Sequence, residues 1–483
     1  MSGGLIELVA YGAQDVYLTG NPHITFFKVT YQRHTNFAQE CVEQTFSGSV
    51  APGQRCTCIV SRSGDLVGPM HLEVALPSLE SNSTATLSWT RVDKNGVLAT
   101  TNAGTTQVTK TSQEYNHVWV PWVGYRLIQS VQLEIGGQRI DKHYSRYFYM
   151  WHELSTSANK DAGLKDMVGG HDFGASDISI FNNALVKKTL FIPLIFWFNT
   201  HPGLALPLIA LQYHEVKLIF EFAPLTDLIT VIGKGEGETL IIPTLDSGIF
   251  PISSSTVVTA GGNSAAPVIG IRLFADYYFL DTEERRRFAQ LSHEYLIKQV
   301  QEVTPTQVAF SAGGTVNVSY RGLNHPVIFN MWGLQNKTVT QTYNDWINFT
   351  NSNPFDEGNG DDIIASHKLV LNGNDRYAQR DVGYFNLVQP YNHFPSIPPK
   401  GINVFSYALQ PAEHQPSGSL NFSRIDNSTN IMTFPTAPTD LRGSTPGGTD
   451  LVATPANYDF VGYAVNYNVL RIMSGMGGLA YSN

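Results

Sequence analysis

Wherever the chain has a clear hydrophobic pattern, the period is two. In HEVKLIFEF, Val216, Leu218, Phe220 and Phe222 fall on one face of an extended segment, with Lys217 and Glu221 on the other. In SVQLEIGG, Val131, Leu133 and Ile135 alternate with Gln132 and Glu134. Both predict antiparallel strands with one face on a core and one facing outward. Helical periodicity is scarce. The best segment is LDTEERRRFAQLSHEYL, where Asp281 is placed to cap and Glu284 to complete a capping box, which predicts one short helix. Tracts rich in Gly, Ser, Thr and Asn at 78–113, 228–262 and 435–454 read as long loops, of the kind that carry interactions.

The pattern is also duplicated. LEIGGQRIDKHYSRYF, from Leu133, matches LVLNGNDRYAQRDVGYF, from Leu369: each reads strand, Gly turn, Arg, then Tyr-Phe. Downstream, FWF at Phe196 precedes a Pro-Gly loop and the strand around Leu218. FSY at Phe405 precedes a Pro-Ser-Gly loop and an expected strand around Phe422. The spacing is far too long for a solenoid, so it predicts two tandem β domains of like topology joined by the Asp281 helix. Short strands with long, uneven connections suit jelly rolls better than propellers or up-and-down barrels.

Length and composition refine this picture. A chain of 483 residues requires two or three domains. Charged residues make up only 15%, below the usual value of about 25%, so much of the surface is expected to be covered by something other than water. A net charge of −9 argues against a broad electrostatic grip on nucleic acid. The longest apolar run, LFIPLIFWF, is about half a bilayer span and contains Pro193, so no transmembrane helix is expected. Residues 8–27, LVAYGAQDVYLTGNPHITFF, are interrupted by Asp15 and by Gly20-Asn21-Pro22. They are therefore expected to persist as a binding segment rather than act as a secretory signal.

Candidate chemistry is sparse. Cys41, Cys56 and Cys58 read as buried or half-buried free thiols in a reducing compartment. His152-Glu153, His171-Asp172, His214-Glu215, His293-Glu294 and Glu413-His414 are His-acid neighbours, but adjacent strand residues face opposite ways and cannot converge on an ion. There is no HExxH and no GxSxG. The Gly-rich stretches at Gly233 and Gly443 do not open helices, and Asp361-Asp362 and Glu283-Glu284 are adjacent rather than facing across a pocket. No enzyme, cofactor or metal is expected. Arg285, Arg286 and Arg287 form the sharpest cationic cluster, a candidate contact that local pairing with Glu283 and Glu284 explains equally well. The aromatics of YSRYFYMWHEL and ADYYFL read as core strands, with a lectin-like or carbohydrate-active double β-sandwich as the alternative. Asn82, Asn317, Asn336, Asn348, Asn421 and Asn427 lie in glycosylation sequons, which matter only if the chain meets the secretory machinery.

Five stretches carry a family resemblance: GGLIELVAYGAQDVYLTGNPHITFFKVTYQRHTNFA (3–38), HPGLALPLIALQYHEVKL (201–218), FLDTEERRRFAQLSHEYLI (279–297), EHQPSGSLNFSRIDN (413–427) and YAVNYNVLRIMSGMGGLAYSN (463–483). Together they resemble the major capsid protein of nucleocytoplasmic large DNA viruses, most closely the branch infecting algae and amoebae. The resemblance implies an all-β double jelly roll: two tandem eight-stranded antiparallel β-sandwiches with a short linker helix and long surface loops. Its expected divisions are an arm at 1–24, a first jelly roll at 25–280, the linker at 281–292 and a second jelly roll with the tail at 293–483. It further implies homotrimers of pseudo-hexagonal outline that tile the outer icosahedral shell of the virion, assembled in the host cytoplasm. Minor capsid and penton proteins would be partners, a lipid membrane would lie beneath, and nucleic acid would not be contacted directly. The arm would lie at the inner face, with Tyr11, Gln14, Asp15 and Tyr17 as contact candidates, and the long loops would crown the outer face.

Overall fold

The computed structural model describes residues 10, 12–77, 79–81, 87–89, 108–110, 115–170, 188–234, 240–241, 257–259, 268–309, 311, 313–342, 344–351, 360–435 and 457–481. The chain divides into a small unit, Met1–Phe37, and a large one, Ala38–Asn483. Residues 25–36 form no strand.

The large unit is two jelly rolls. The first uses β1 (Phe37–Gln44), β2 (Arg55–Ile59), β3 (Leu66–Leu76), β4 (Ile128–Ile135), β5 (Gln138–Tyr144), β6 (Lys188–Pro193), β7 (Val216–Phe222) and β8 (Gly270–Leu280). Its sheets run β1-β8-β3-β6 and β5-β4-β7-β2. The second uses β9 (His293–Glu302), β10 (Thr315–Ser319), β11 (Pro326–Asn336), β12 (Ser366–Leu371), β13 (Asn374–Asp375), β14 (Asn403–Ser406), β15 (Ser428–Thr433) and β16 (Asn457–Met473), in sheets β9-β16-β11-β14 and β10-β15-β12-β13. Each sheet of the second sandwich reproduces the strand order of one in the first. The duplication read from the sequence is therefore a duplication of topology.

The repeated motif is the same hairpin in each sandwich. Strands β4 and β5 turn through Gly136 and Gly137 (φ 59° and 83°), and β12 and β13 through Asn372 and Gly373 (φ 48° and 81°). Both are the type I′ geometry that demands Gly or Asn. Period-two alternation holds where it was read: Val216, Leu218, Phe220 and Phe222 are buried while Lys217 and Glu221 are half-exposed. In β3, Met70, Leu72, Val74 and Leu76 are buried and His71, Glu73 and Ala75 look outward. In β11 the alternation vanishes, because both faces are covered and Val327 through Asn336 are all buried.

The second cover on β11 comes from the first sandwich. YSRYFYMWHEL, expected as a strand, is helix α1 (Ser145–Ser155), with Tyr147, Phe148, Tyr149, Met150, His152 and Leu154 buried. Its aromatic run, Tyr147 through Trp151, carries strand propensity, and this masked the helical period. Trp151 stacks on Phe329 at 5.6 Å, Tyr147 meets Tyr463 edge-on at 5.7 Å, and Tyr149 meets Trp346 edge-on at 5.9 Å. Around α1, Trp346 Nε1 donates to the Pro121 carbonyl (2.8 Å) and the Val300 N–H to the Asp141 carboxylate (2.9 Å). Phe329, Met331, Tyr463 and Val465 thus belong to the same apolar cluster as the first sandwich's interior, while Trp332, Leu334 and Phe460 form the second sandwich's own core.

Other expectations change in detail. A further helix, α2 (Ala158–Val168), follows α1. The linker α3 (Thr282–Gln290) starts after an extended Asp281 whose side chain makes no capping hydrogen bond, so the capping box does not form. Phe422 lies in a 3-10 turn (Phe422–Arg424), and the strand matching Val216–Phe222 is Ser428–Thr433. The tracts at 78–113 and 228–262 contain strands: Ile229–Lys234 pairs with Tyr115–Trp119, Leu79–Ser81 with Val257–Thr259, and Leu87–Trp89 with Val108–Lys110. The Gly and Ser around these short β-branched runs masked them. Apart from Pro435, the tract 435–454 lies outside the described residues. No helix among the described residues is long and apolar enough to cross a membrane.

Because strand direction alternates, the connections after β3, β5 and β7, and after β11, β13 and β15, leave one end of the sandwiches. The connections after β2, β4 and β6, and after β10, β12 and β14, leave the other, with the linker and the final hairpin. The two sandwiches stand with like ends together. At the long-loop end Asn344 Nδ2 donates to the Thr226 carbonyl, and at the opposite end His214 Nδ1 lies 2.9 Å from the Gly477 carbonyl. Replacing fully buried Phe329 with Ala removes the centre of the junction. A loss of about 3–5 kcal/mol of unfolding free energy is expected in urea titration, and a loss under about 1 kcal/mol would show that the junction carries little.

Candidate functional site

The arginine cluster splits into three different situations. Arg285 Nε reaches the Asp65 carboxylate at 2.9 Å, and that Asp side chain is only 8% exposed. The other Asp65 oxygen accepts the Leu280 N–H at 2.9 Å, so Asp65 ties the linker helix to the end of β8. Arg286 pairs with Glu283 in full solvent, and Arg287 has no ion pair among the described residues. Arg285 is therefore tied to a buried carboxylate although its own side chain is exposed, leaving Arg286 and Arg287 as surface cations without such an anchor.

Within the small unit, Gln14 is exposed and Asp15 is half-buried, its carboxylate accepting the Gly12 N–H at 2.7 Å ahead of a short helix, Val16–Thr19. Tyr17 lies in that helix, and Tyr11 lies outside the described residues. The residues that stand out were not among the candidates: Leu18, Ile24, Phe26, Phe27, Val29 and Tyr31 are all exposed, Phe27 by 98%. Their signal in the sequence was the apolar-rich run ITFFKVTY, in which Phe27, Val29 and Tyr31 alternate with Lys28 and Thr30 although no strand forms there.

Three of the candidate histidines are held by bonds within the fold. Buried His152 lies 3.0 Å from Asp161, and burial holds its pKa below the usual imidazole value. This pair, like His152-Glu153, sits at the helix the sequence did not reveal. His293 Nε2 bonds the Phe288 carbonyl, His214 the Gly477 backbone, and His171 lies outside the described residues. No group of three metal-binding side chains occurs among the described residues. The three thiols are unpaired. Cys56 and Cys58 are buried, but Cys41 is exposed because the start of β1 overhangs the core. Of the sequons, Asn317, Asn421 and Asn427 are exposed, while Asn336 and Asn348 are buried and cannot present an amide to a transferase. Asn82 lies outside the described residues. The aromatics of α1 are spent on the junction, not on a sugar platform.

What remains are broad, chemically quiet faces. On the outside of β8-β3-β6, His71 stacks on Phe274 at 5.5 Å and tilts against Phe191 at 6.3 Å, beside the Arg272–Glu73 ion pair. On the second sandwich a π turn, Tyr384–Val388, continues into Gln389–His393, together α4, and presents Leu387, Val388 and Tyr391 to solvent. Such surfaces suit association with other protein rather than catalysis.

The family described as "Major capsid protein N-terminus" matches residues 25–281, and "Large eukaryotic DNA virus major capsid protein" matches 284–478. The chain belongs to the major capsid proteins of large eukaryotic DNA viruses. It is 40% identical to the major capsid protein of Pyramimonas orientalis virus and 40% to that of Paramecium bursaria Chlorella virus 1, over the whole of each chain. A chain of the PBCV-1 virus capsid superposes with TM-score 0.70 at 34% identity, covering 95% of this chain and all of that one. The Faustovirus major capsid protein shares the fold at 16% identity, with TM-score 0.68 over 96% and 94% of the two chains. The family boundary, between 281 and 284, falls at the start of α3.

Two predictions follow the site's electrostatics. Asp65→Ala, which strands Arg285 and the Leu280 N–H, is expected to cost about 1–3 kcal/mol in urea unfolding. Arg286→Ala is expected to cost under about 0.5 kcal/mol, and equal effects would contradict the division of the cluster. His367 is buried, stacked on Trp332 at 4.5 Å and hydrogen-bonded to Tyr377 at 2.8 Å, and burial lowers its pKa to about 3. The unfolded imidazole binds its proton near 6.5. Stability from this group is therefore complete above about pH 6.5 and is lost as pH falls toward about 3. Urea midpoints taken across that window should slope less steeply in His367→Asn than in the parent, and parallel slopes would refute the assignment.

Proposed function

We propose that the chain is the structural subunit of an outer icosahedral virion shell, acting as a homotrimer of pseudo-hexagonal outline that packs trimer against trimer. The observation that carries this reading is the side-by-side pair of identically ordered jelly rolls, spanning the full length of relatives named as major capsid proteins. Three copies of a doubled sandwich place six similar bodies around an axis, which is the outline a hexagonal lattice needs. The low charge and quiet faces support a mechanism of many modest, repeated contacts rather than chemistry by the chain itself. Unpaired thiols are consistent with assembly in the host cytoplasm.

On this reading the long connections, which leave one end together, crown the outside of the shell. The opposite end, with the linker and the start of β1, faces inward toward minor capsid and penton proteins. The exposed apolar residues of the small unit gain cover only by contact with a neighbour or such a protein. Light scattering after size exclusion should give three times the chain mass, unchanged on dilution, and a stable monomer would overturn the trimer. Deleting residues 2–24 should leave that mass intact and impair shell assembly. Efficient assembly of the truncated chain would remove the arm's role.

A further inference from the structure

The two ends of the junction are closed by different chemistry. At the long-loop end Asn344 Nδ2 donates to the Thr226 and Ile229 carbonyls and Trp346 Nε1 to the Pro121 carbonyl, through groups that do not titrate near neutral pH. At the end that carries the linker, two loops in corresponding places meet: the connection after β6 in the first sandwich and the connection after β14 in the second. Each brings a histidine. The His201 and His414 rings stack with their planes 14° apart and their centroids 6.1 Å apart, and both residues are exposed.

The surroundings of the pair suit neutral rings. His201 Nδ1 accepts the Gly203 N–H at 2.9 Å and so caps the 3-10 turn Pro202–Leu204, a role that requires this nitrogen to carry no proton. His414 rides on a loop pinned to β9 by Lys298, whose Nζ donates to the Pro411 carbonyl at 2.9 Å and to the Glu413 carbonyl at 2.7 Å. Partial burial, then the Lys298 ammonium and His201, hold the His414 pKa below the usual imidazole value. Glu413 on the loop itself and His393 at its base are the other titratable groups beside the pair, and segment 197–204 adds none besides His201. His393 Nδ1 lies 2.9 Å from the Leu409 carbonyl, to which the neutral and the protonated ring donate alike, so its titration leaves that bond in place.

We infer that the His201–His414 stack is an acid-released latch between the two sandwiches, closed while both rings are neutral and opened when they take up protons. Protonation of His201 at Nδ1 turns the acceptor of the Gly203 N–H into a donor and uncaps the turn. Protonation of both rings sets like charges 6.1 Å apart beside the Lys298 ammonium, three cations against the carboxylate of Glu413. A histidine whose folded pKa lies below its unfolded value near 6.5, as that of His414 does, contributes stability that is complete above that pH and is lost as pH falls below it. The His414 loop then lifts from His201, while the apolar contacts around Phe329 stay in place. In a shell subunit such a latch loosens one end of the double sandwich in an acid compartment and leaves the body intact. That setting rests on the shell reading; the latch does not.

The test is hydrogen exchange read by mass spectrometry on the full chain at about pH 7.5 and about pH 5.5, either side of the imidazole range and corrected for intrinsic exchange. In segments 199–206 and 409–418 the expected result is a loss of protection of about threefold at the acid pH, the factor that two unit charges 6.1 Å apart give in water, with β11 unchanged. In His201→Asn/His414→Gln, which keeps an acceptor for the Gly203 N–H and removes both titrations, that loss should vanish. Both positions are exposed, so the melting temperature at neutral pH should match the parent. Equal protection at the two pH values in the parent would overturn the latch, and so would an acid loss of the same size in the double variant. Lys298→Met, which unpins the loop, should lower protection of 409–418 at both pH values, and parental protection there would overturn the part given to Lys298. The readout needs no trimer: a monomer that shows the acid response would contradict the shell reading and leave the latch standing.

Discussion

The burial of helix α1 between two β-sandwiches is the constraint on which the rest of this structure depends. Each sandwich alone would leave a helix and a sheet face partly bare. Joining them covers α1 with Phe329, Tyr463, Trp346 and Phe349, and fuses the first sandwich's interior with the second's outer face into one apolar cluster. Several polar groups at the seam find partners. Asp141 accepts the Val300 N–H, Trp346 donates to Pro121, and Arg126 both pairs with Asp227 at 2.8 Å and lies over the Trp346 ring. Apolar burial supplies the attraction, and these directional contacts fix the angle between the bodies.

That fixed angle gives the chain its function. With like ends together, the longest connections of both sandwiches emerge on one side, and the linker, the final hairpin and the start of β1 lie on the other. Length can vary among the long connections without disturbing either core. The flanks expose Phe191, Leu387, Val388 and Tyr391. A shell protein needs this division of labour: a rigid body, sticky sides, and two ends that face different environments.

The strands that cover one face of a core were legible in the sequence, because Val216 through Phe222 and Val131 through Ile135 alternate as the physics of a half-buried strand requires. The duplication was legible because the β4–β5 and β12–β13 hairpins need Gly or Asn at positive φ and so keep a visible signature. The second half of the repeat was misplaced by one element, since Phe422 looks like a strand residue but sits in a turn. Helix α1 was hidden because its aromatic run carries strand propensity, whereas the doubly covered β11 loses its alternation because both of its faces are buried. Of the surface candidates, Arg285 reads as a free cation only until the fold brings up Asp65, far away in sequence. The exposed faces of α4 and β3 had no signature at all: an outward Tyr391 is written like an inward one.

The central claim is that the two sandwiches form one cooperative body through their junction. Native-state hydrogen exchange read by mass spectrometry tests it most directly, by comparing the slowest amides of β3 in the first sandwich with those of β11 in the second. The account predicts the same opening free energy and the same denaturant dependence for both strands. A first or second sandwich that opens alone, at clearly lower free energy than its partner, would contradict it.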